Sequence, residues 1–230
     1  MVKELHEQGF DVVAGVRSTG KAAETGVDTL SNSLATIDVT NSPEDIASAI
    51  PAGVDAIICA TGFVPGNPFK MGSAAHAVDN IGTQNLVKAA KLAGVKRFVL
   101  VSSILTNGRA IGQEKSPGFV ITNAFGGVLD EKLEAEQVLR ASGLDYTIVR
   151  PGGLKDEITD KVILAQEDTL FSGEVARANV AAVCVEALKS GASVSNKVVE
   201  LVEYGTCIND SCPGAEGNPG SDDRSTWFSS

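Results

Sequence analysis

Apolar residues in this chain gather into short β-branched runs, separated by stretches of helical period. The runs Asp11–Val16, Asp55–Ala60, Arg97–Ser102 and Tyr146–Arg150 are continuous rather than alternating. That is the pattern of strands covered on both faces, and so of a parallel sheet. Leu34–Ile37 is a weaker run of the same kind, and Val162–Leu164 and Lys197–Val202 follow late in the chain. Helices fall between them. Met1–Gln8 is amphipathic and closes at Gly9; Val78–Leu92 stops near Gly94; Leu129–Ala141 stops at Gly143. Ser42-Pro43-Glu44-Asp45 carries an N-cap serine, a proline at the first helical position and acids in the first turn, which together start a helix. Val180, Val183, Cys184, Ala187 and Leu188 make one apolar face. Strand–helix alternation over this length predicts an α/β fold with a doubly wound parallel sheet.

The opening order of helix, strand and then Arg17 is that of the middle of a dinucleotide-binding βαβ unit. Such a unit begins with a strand and a glycine-rich turn, and neither is found ahead of the Met1 helix. The expected fold is therefore a doubly wound sheet apparently without its first strand. That strand normally lies at the sheet centre in the order 3-2-1-4-5-6, and its loss would expose two edges. The expectation is that the full-length product carries about 15 or more further N-terminal residues.

The 230 residues are 43% hydrophobic and 21% charged, ordinary values for one globular domain with a full core. A net charge of −10 with no basic stripe argues against nucleic acid and against anionic membrane surfaces. No run of 18 apolar residues predicts a spanning helix. Cys59, Cys184, Cys207 and Cys212 resemble a reducing-compartment set more than a disulfide framework; Cys207 and Cys212 are read as inert thiols, with a tail disulfide or a redox pair as the alternative. From Tyr204 onward Gly, Ser, Asn, Asp and Pro dominate, so residues 1–203 form the predicted domain and 204–230 a polar, disordered tail. Gly214, Gly217 and Gly220 have the spacing of a phosphate loop, but no strand precedes them and no helix follows. His6 and His76 have no Cys or acid partner at ligand spacing, and no metal site is predicted.

Several segments stand together in order: Val12–Arg17, Ala60-Thr61-Gly62, the Asp79–Leu86 run, Phe98–Ser103, Lys132, and Tyr146–Gly153 with its Arg150-Pro151-Gly152-Gly153 turn. In this the chain resembles the atypical short-chain dehydrogenase/reductases, which are NAD(P)-binding Rossmann proteins. Within them it is most similar to plastid NAD(P)-binding proteins related to the redox-sensing component of the chloroplast import machinery. The resemblance implies a plastid location and an oxidoreductase-type function with an unknown small-molecule substrate. Its alternative is a non-catalytic NADP(H)-sensing module that docks onto a protein partner or the surface of a membrane complex.

Arg17 ends the strand where a dinucleotide enzyme places its ribose selector. An acid there accepts from the 2′-hydroxyl of NAD, whereas an arginine meets a 2′-phosphate, so NADP is the expected cofactor. Ala60, Thr61 and Gly62 end a strand beside the topological switch point and let the backbone approach a ribose or phosphate. Further roles come from the resemblance. Asp38 and Val39 would line the adenine, Asn80 would support the active-site backbone, and Pro151, Gly152 and Gly153 would lie against the nicotinamide. Ser102 and Ser103 would close the catalytic strand, with Ser103 hydrogen-bonded to substrate and Lys132 holding the cofactor ribose. The family's tyrosine, four residues before the lysine, is Val128 here, so the usual general acid is missing. The bland alternative for Lys132 is a helical pair with Glu136.

Overall fold

The computed structural model describes residues 1–64, 66–207 and 221–228. Helix α1 (Val2–Glu7) leads into strand β1 (Val13–Val16); α2 (Thr19–Glu24), α3 (Val27–Leu30) and β2 (Ser33–Thr36) follow. Next come α4 (Pro43–Ala49) and β3 (Ala56–Cys59), then α5 (Met71–Ala75), a π-helical turn (His76–Gly82) and α6 (Thr83–Leu92). Strand β4 (Arg97–Val101) is followed by α7 (Pro117–Asn123), α8 (Val128–Arg140) and β5 (Asp145–Pro151). The chain ends with β6 (Gly153–Lys155), β7 (Val162–Gln166), β8 (Glu174–Ala176), α9 (Arg177–Lys189) and β9 (Lys197–Glu203).

The main sheet has five strands in the order β3-β4-β5-β9-β7, all parallel except β7, which runs antiparallel to β9. Strands β1 and β2 form a separate parallel pair, and β6 and β8 another. Side chains alternate across the main sheet. Phe98, Leu100 and Ile148 join Ile46 of α4, Leu86 and Val87 of α6 and Leu139 of α8 in one core; Val99, Val149 and Leu201 join Val180, Val183 and Cys184 of α9 in another. Both faces are thus covered, which is why the strands read as continuous apolar runs.

Local signals behave as the physics requires. Ser42 caps α4, its hydroxyl accepting from the Asp45 N–H at 3.2 Å with Pro43 next in line, and Ser116-Pro117 repeats the device at α7. Such a cap is worth about 1 kcal/mol. Helix α9 is buried well beyond the face predicted for it, with Ala181, Ala182 and Val185 also inside. Met1, Trp227 and Phe228 pack against its cluster.

Residues 204–230 are expected to be a polar, mostly disordered tail; among them, residues 221–228 make contacts with the rest of the chain. The Ser221 N–H donates to the Val162 carbonyl at 3.0 Å, Arg224 pairs with Glu4, and the Trp227 indole N–H donates to the Ser221 carbonyl. The physical reason is that Trp227 and Phe228 bury apolar surface on the α9 side, which outweighs the polar composition around them. Cys207 is disulfide-bonded, so it is not an inert thiol. Cys212 and the spacing of Gly214, Gly217 and Gly220 lie outside the described residues. Among the described residues no helix is long and apolar enough to cross a membrane.

Candidate functional site

Parallel strands place all their C-terminal ends on one edge. Arg17 follows β1, Asp38 and Val39 follow β2, Ala60–Gly62 follow β3, Ser102 and Ser103 follow β4, and Pro151–Gly153 close β5. Arg17, Asp38 and Val39 thus lie at the C-terminal end of the β1–β2 pair, and Ala60–Gly62, Ser102, Ser103 and Pro151–Gly153 at the shared C-terminal edge of β3, β4 and β5.

Their surroundings differ. Arg17 is exposed, and Ala60, Thr61 and Gly62 are exposed at the rim of β3. Asp38 is held as a carboxylate below its ordinary range by the Thr40 backbone N–H at 3.0 Å and the Thr40 hydroxyl at 2.7 Å, with the nearby Arg17 charge adding to the effect. Val39, in contrast, is a core residue, packed so closely on the π-helical turn that a Cβ on Gly82 would come within 2.7 Å of it. Pro151 and Gly152 are also buried: the Gly152 N–H donates to the Leu201 carbonyl at 2.9 Å, and its missing side chain admits Gly173 and Val202. Only Gly153 of that turn faces solvent.

Ser102 is buried and donates to Glu136 Oε1 at 2.6 Å. Ser103 is half-buried, and two residues on Leu105 takes a left-handed φ of 65°, a strained conformation that turns the chain off the strand. Glu136 is not the helical partner of Lys132. It is fully buried beneath Arg150, whose guanidinium reaches it at 2.7 Å and also contacts Asp168 at 2.8 Å, Glu167 at 3.2 Å and Glu200 at 3.4 Å. Burial works against the charge on Arg150, but Glu136 and then Glu167 and Glu200 outweigh it and hold the group above its ordinary value. Burial raises Glu200, although the N–H groups of Leu170, Asp168 and Thr169 point at its carboxylate. The arginine of the Arg-Pro-Gly motif thus organises the fold beneath the rim; a lone arginine in a strand gives no sign of its four partners in sequence.

Lys132 lies one turn into α8, with its Nζ 2.8 Å from Asp79 Oδ1. The Asp79 side chain is 1% exposed, and its second oxygen accepts the Phe63 N–H at 3.1 Å. Asn80, the family-based choice for support of the site, points elsewhere. Its amide nitrogen donates to Glu131 at 2.7 Å and Glu134 at 2.6 Å, both on α8. Both neighbours lie in the π-helical turn, a form that occurs mostly as single turns within α-helices. His76 is not isolated either, because the fold brings Glu131 to within 2.9 Å of its Nδ1. Val128, at the position of the missing phenol, is buried with Ala75, Phe119 and Leu129. Among the described residues, no group of three or more His, Cys, Asp or Glu could hold a metal ion. Cys184 is buried, and burial pushes its thiol up to about 12.

The donor set suits a dinucleotide. In a chain of net charge −10, Arg17 is exposed at the end of the β1–β2 pair, the Lys132 ammonium is fixed by Asp79, and small exposed residues end β3.

A sequence model of the family described as NAD(P)H-binding matches residues 1–191. The chain is 47% identical over 207 residues to an uncharacterized chloroplastic protein of Arabidopsis thaliana, covering 88% of this chain and 71% of that one. It is 33% identical over 219 residues to the chloroplastic protein TIC 62 of Pisum sativum, covering 87% of this chain but only 40% of that protein. Among solved structures it resembles the oxidoreductase ylbE from Lactococcus lactis, with a TM-score of 0.71, 25% identity, and coverage of 96% of this chain and 92% of the other. It also resembles ChuY, an anaerobillin reductase from Escherichia coli O157:H7, with a TM-score of 0.69, 25% identity, and coverage of 87% and 88%.

Proposed function

The chain belongs to the NAD(P)H-binding family, and from that premise we propose that it is an NADP-dependent plastid oxidoreductase acting on an electron acceptor that needs no phenolic proton donor. The observation that carries the cofactor choice is the exposed Arg17 guanidinium at the end of β1, beside Asp38, where a 2′-phosphate would be met by a charge-assisted fork. Lys132 would hold the ribose hydroxyls nearest the reacting ring, and the exposed Ala60-Thr61-Gly62 edge would let the backbone lie against the cofactor. The bound dinucleotide supplies the hydride.

The acceptor class is read from two features. Val128 and its apolar neighbours fill the place of the usual acid, so acceptors whose reduced form is a weak base, such as quinones and flavins, suit the site better than simple carbonyls. Val64 and Phe69, beyond β3, and Val120, Ile121 and Phe125, beyond β4, are exposed on the two connections that leave this rim. Those connections touch, because a Cβ on Gly126 would lie 2.6 Å from the Gly72 nitrogen. An apolar mouth favours an apolar acceptor. The same buried Val128, together with a Ser102 hydroxyl committed to Glu136, supports a second reading: a sensor that binds NADP(H) without turnover and docks onto a partner.

The test is a fluorescence titration of the full-length protein with NADPH and with NADH, alongside Arg17→Glu. The expected result is tighter NADPH binding that Arg17→Glu weakens at least tenfold, with NADH little changed. Equal affinities in all four titrations refute the Arg17 assignment. Oxidation of bound NADPH by quinones or flavins then marks an oxidoreductase, and binding without turnover marks the sensor.

A further inference from the structure

Asp79 opens the Asp79–Leu86 run and is a buried carboxylate to which the sequence assigned no role. It joins three pieces of the site. One oxygen faces the Lys132 ammonium at 2.8 Å, from α8. The other accepts the Phe63 N–H at 3.1 Å, on the connection leaving β3. Gly62 lies against it, so that a Cβ there would come 3.5 Å from Oδ1. Asp79, Thr83, Ser102 and Lys132 line one narrow crevice at the end of β4.

Charge placement explains why the pair stays together. Lys132 is partly buried, its side chain 19% exposed, on a helix whose other nearby acids are taken up elsewhere. Glu131 and Glu134 receive the Asn80 amide, and Glu131 also meets His76. Asp79 is therefore the counter-charge that aims the ammonium. A buried carboxylate with its partner removed is costly, so each group fixes the other. The same side chain also fixes the backbone at Phe63.

We propose that Asp79 is a positioning residue that holds Lys132 and the Gly62–Phe63 segment in one preformed arrangement, so that a dinucleotide ribose meets ammonium and backbone together. This rests on the NADP reading above. Preorganisation of this kind contributes affinity by removing the cost of ordering both pieces on binding. It makes the effects of Asp79 and Lys132 on the cofactor a single effect.

The test uses full-length protein: wild type, Asp79→Asn, Asp79→Glu, Lys132→Met, the Asp79→Asn/Lys132→Met double variant, and Asn80→Ser as a neighbour control. NADPH affinity is read by fluorescence titration, folding by thermal melts, and Lys132 exposure by its rate of acylation in cofactor-free protein. Asp79→Asn and Lys132→Met should each weaken NADPH about tenfold, and the double variant should be no more than about threefold worse than either single variant. Asp79→Asn should speed Lys132 acylation severalfold. Asp79→Glu, which keeps the charge, should recover part of the affinity and remains informative if the asparagine variant fails to fold. Asn80→Ser should lower the melting temperature yet leave NADPH affinity within about threefold.

NADPH affinity unchanged in Asp79→Asn beside a weakened Lys132→Met overturns the proposal, as do losses that multiply in the double variant or an equal loss in Asn80→Ser. Wild-type protein that does not bind NADPH overturns the cofactor reading itself, and this role with it.

Discussion

Replacing Arg150 by methionine should destabilise the protein more than any surface change, because the guanidinium is buried with charges that depend on it. Arg150, Glu136 and Glu200 have side chains at 0%, 0% and 1% exposure, and the guanidinium also holds the partly exposed Glu167 and Asp168. Methionine fills much of the volume but leaves buried Glu200 without its counter-charge and buried Glu136 with only Arg140 at 3.6 Å. Breaking a buried pair in this way costs about 3–5 kcal/mol. A domain of this size has about 5–15 kcal/mol in all, and each kcal/mol moves the midpoint by about 2–4 °C, so the melting temperature should fall by about 6–20 °C. Far-UV circular dichroism melts at pH 7, backed by urea unfolding, measure it. The variant Arg150→Met/Glu136→Gln/Glu200→Gln should recover a large part of the loss, because the stranded charges are gone. Acidification supplies a second check. Burial raises Glu200 above its ordinary 4.5, so the stability linked to this group is present at low pH and is lost as pH rises through its folded-state value. Without Arg150 that dependence should steepen, and the variant should gain on wild type as the pH falls from 7 towards 5. A loss under about 2 °C, or a triple variant less stable than Arg150→Met, would falsify the account of Arg150 as the counter-charge of this cluster.

Glu203 should show the opposite sign. Burial opposes its charge, yet Lys155 and the Ala176 and Thr159 N–H groups lower it to about 2, so its stabilisation, about 3 kcal/mol at neutral pH, is present above about 4.5 and lost as pH falls towards 2. Urea unfolding between pH 7 and 3 should therefore show a flatter acid limb in Glu203→Gln than in wild type; parallel limbs would count against it. Gly152→Ala should cost about 1–3 kcal/mol, since the new Cβ meets Val202 Cγ1 at 2.9 Å and the Gly173 carbonyl closer still, and a melt within 1 °C of wild type would contradict that packing. Gly126→Ala should be at least as harmful, combining a φ of +78° with a backbone clash at Gly72, and should be read by the same melt.

How much of this was legible in the sequence follows from the range of the forces involved. The buried strands, the Ser42 cap and the placing of Ala60–Gly62, Ser102 and Gly153 along one edge of the main sheet were readable, because periodicity and capping are local and parallel pairing then fixes which ends meet. Asp79 was not, because its partner lies 53 positions away and only the folded chain brings α8 against the π-helical turn. Arg150 was part of a recognised motif, but its network spans α8, β9 and the 167–168 turn, and only the folded chain brings those together. The packed residues 221–228 escaped notice because two aromatic side chains carry the burial while the surrounding composition is polar.

The widened turn at His76–Gly82 has a consequence for how this protein can change over time. Substitutions within it leave the helical phase untouched, whereas loss of a single residue would restore ordinary winding and exchange the duties of two adjacent side chains. Length is therefore the inherited quantity in this stretch. Two descendants that differ here by one dropped position could therefore differ in what meets the lysine.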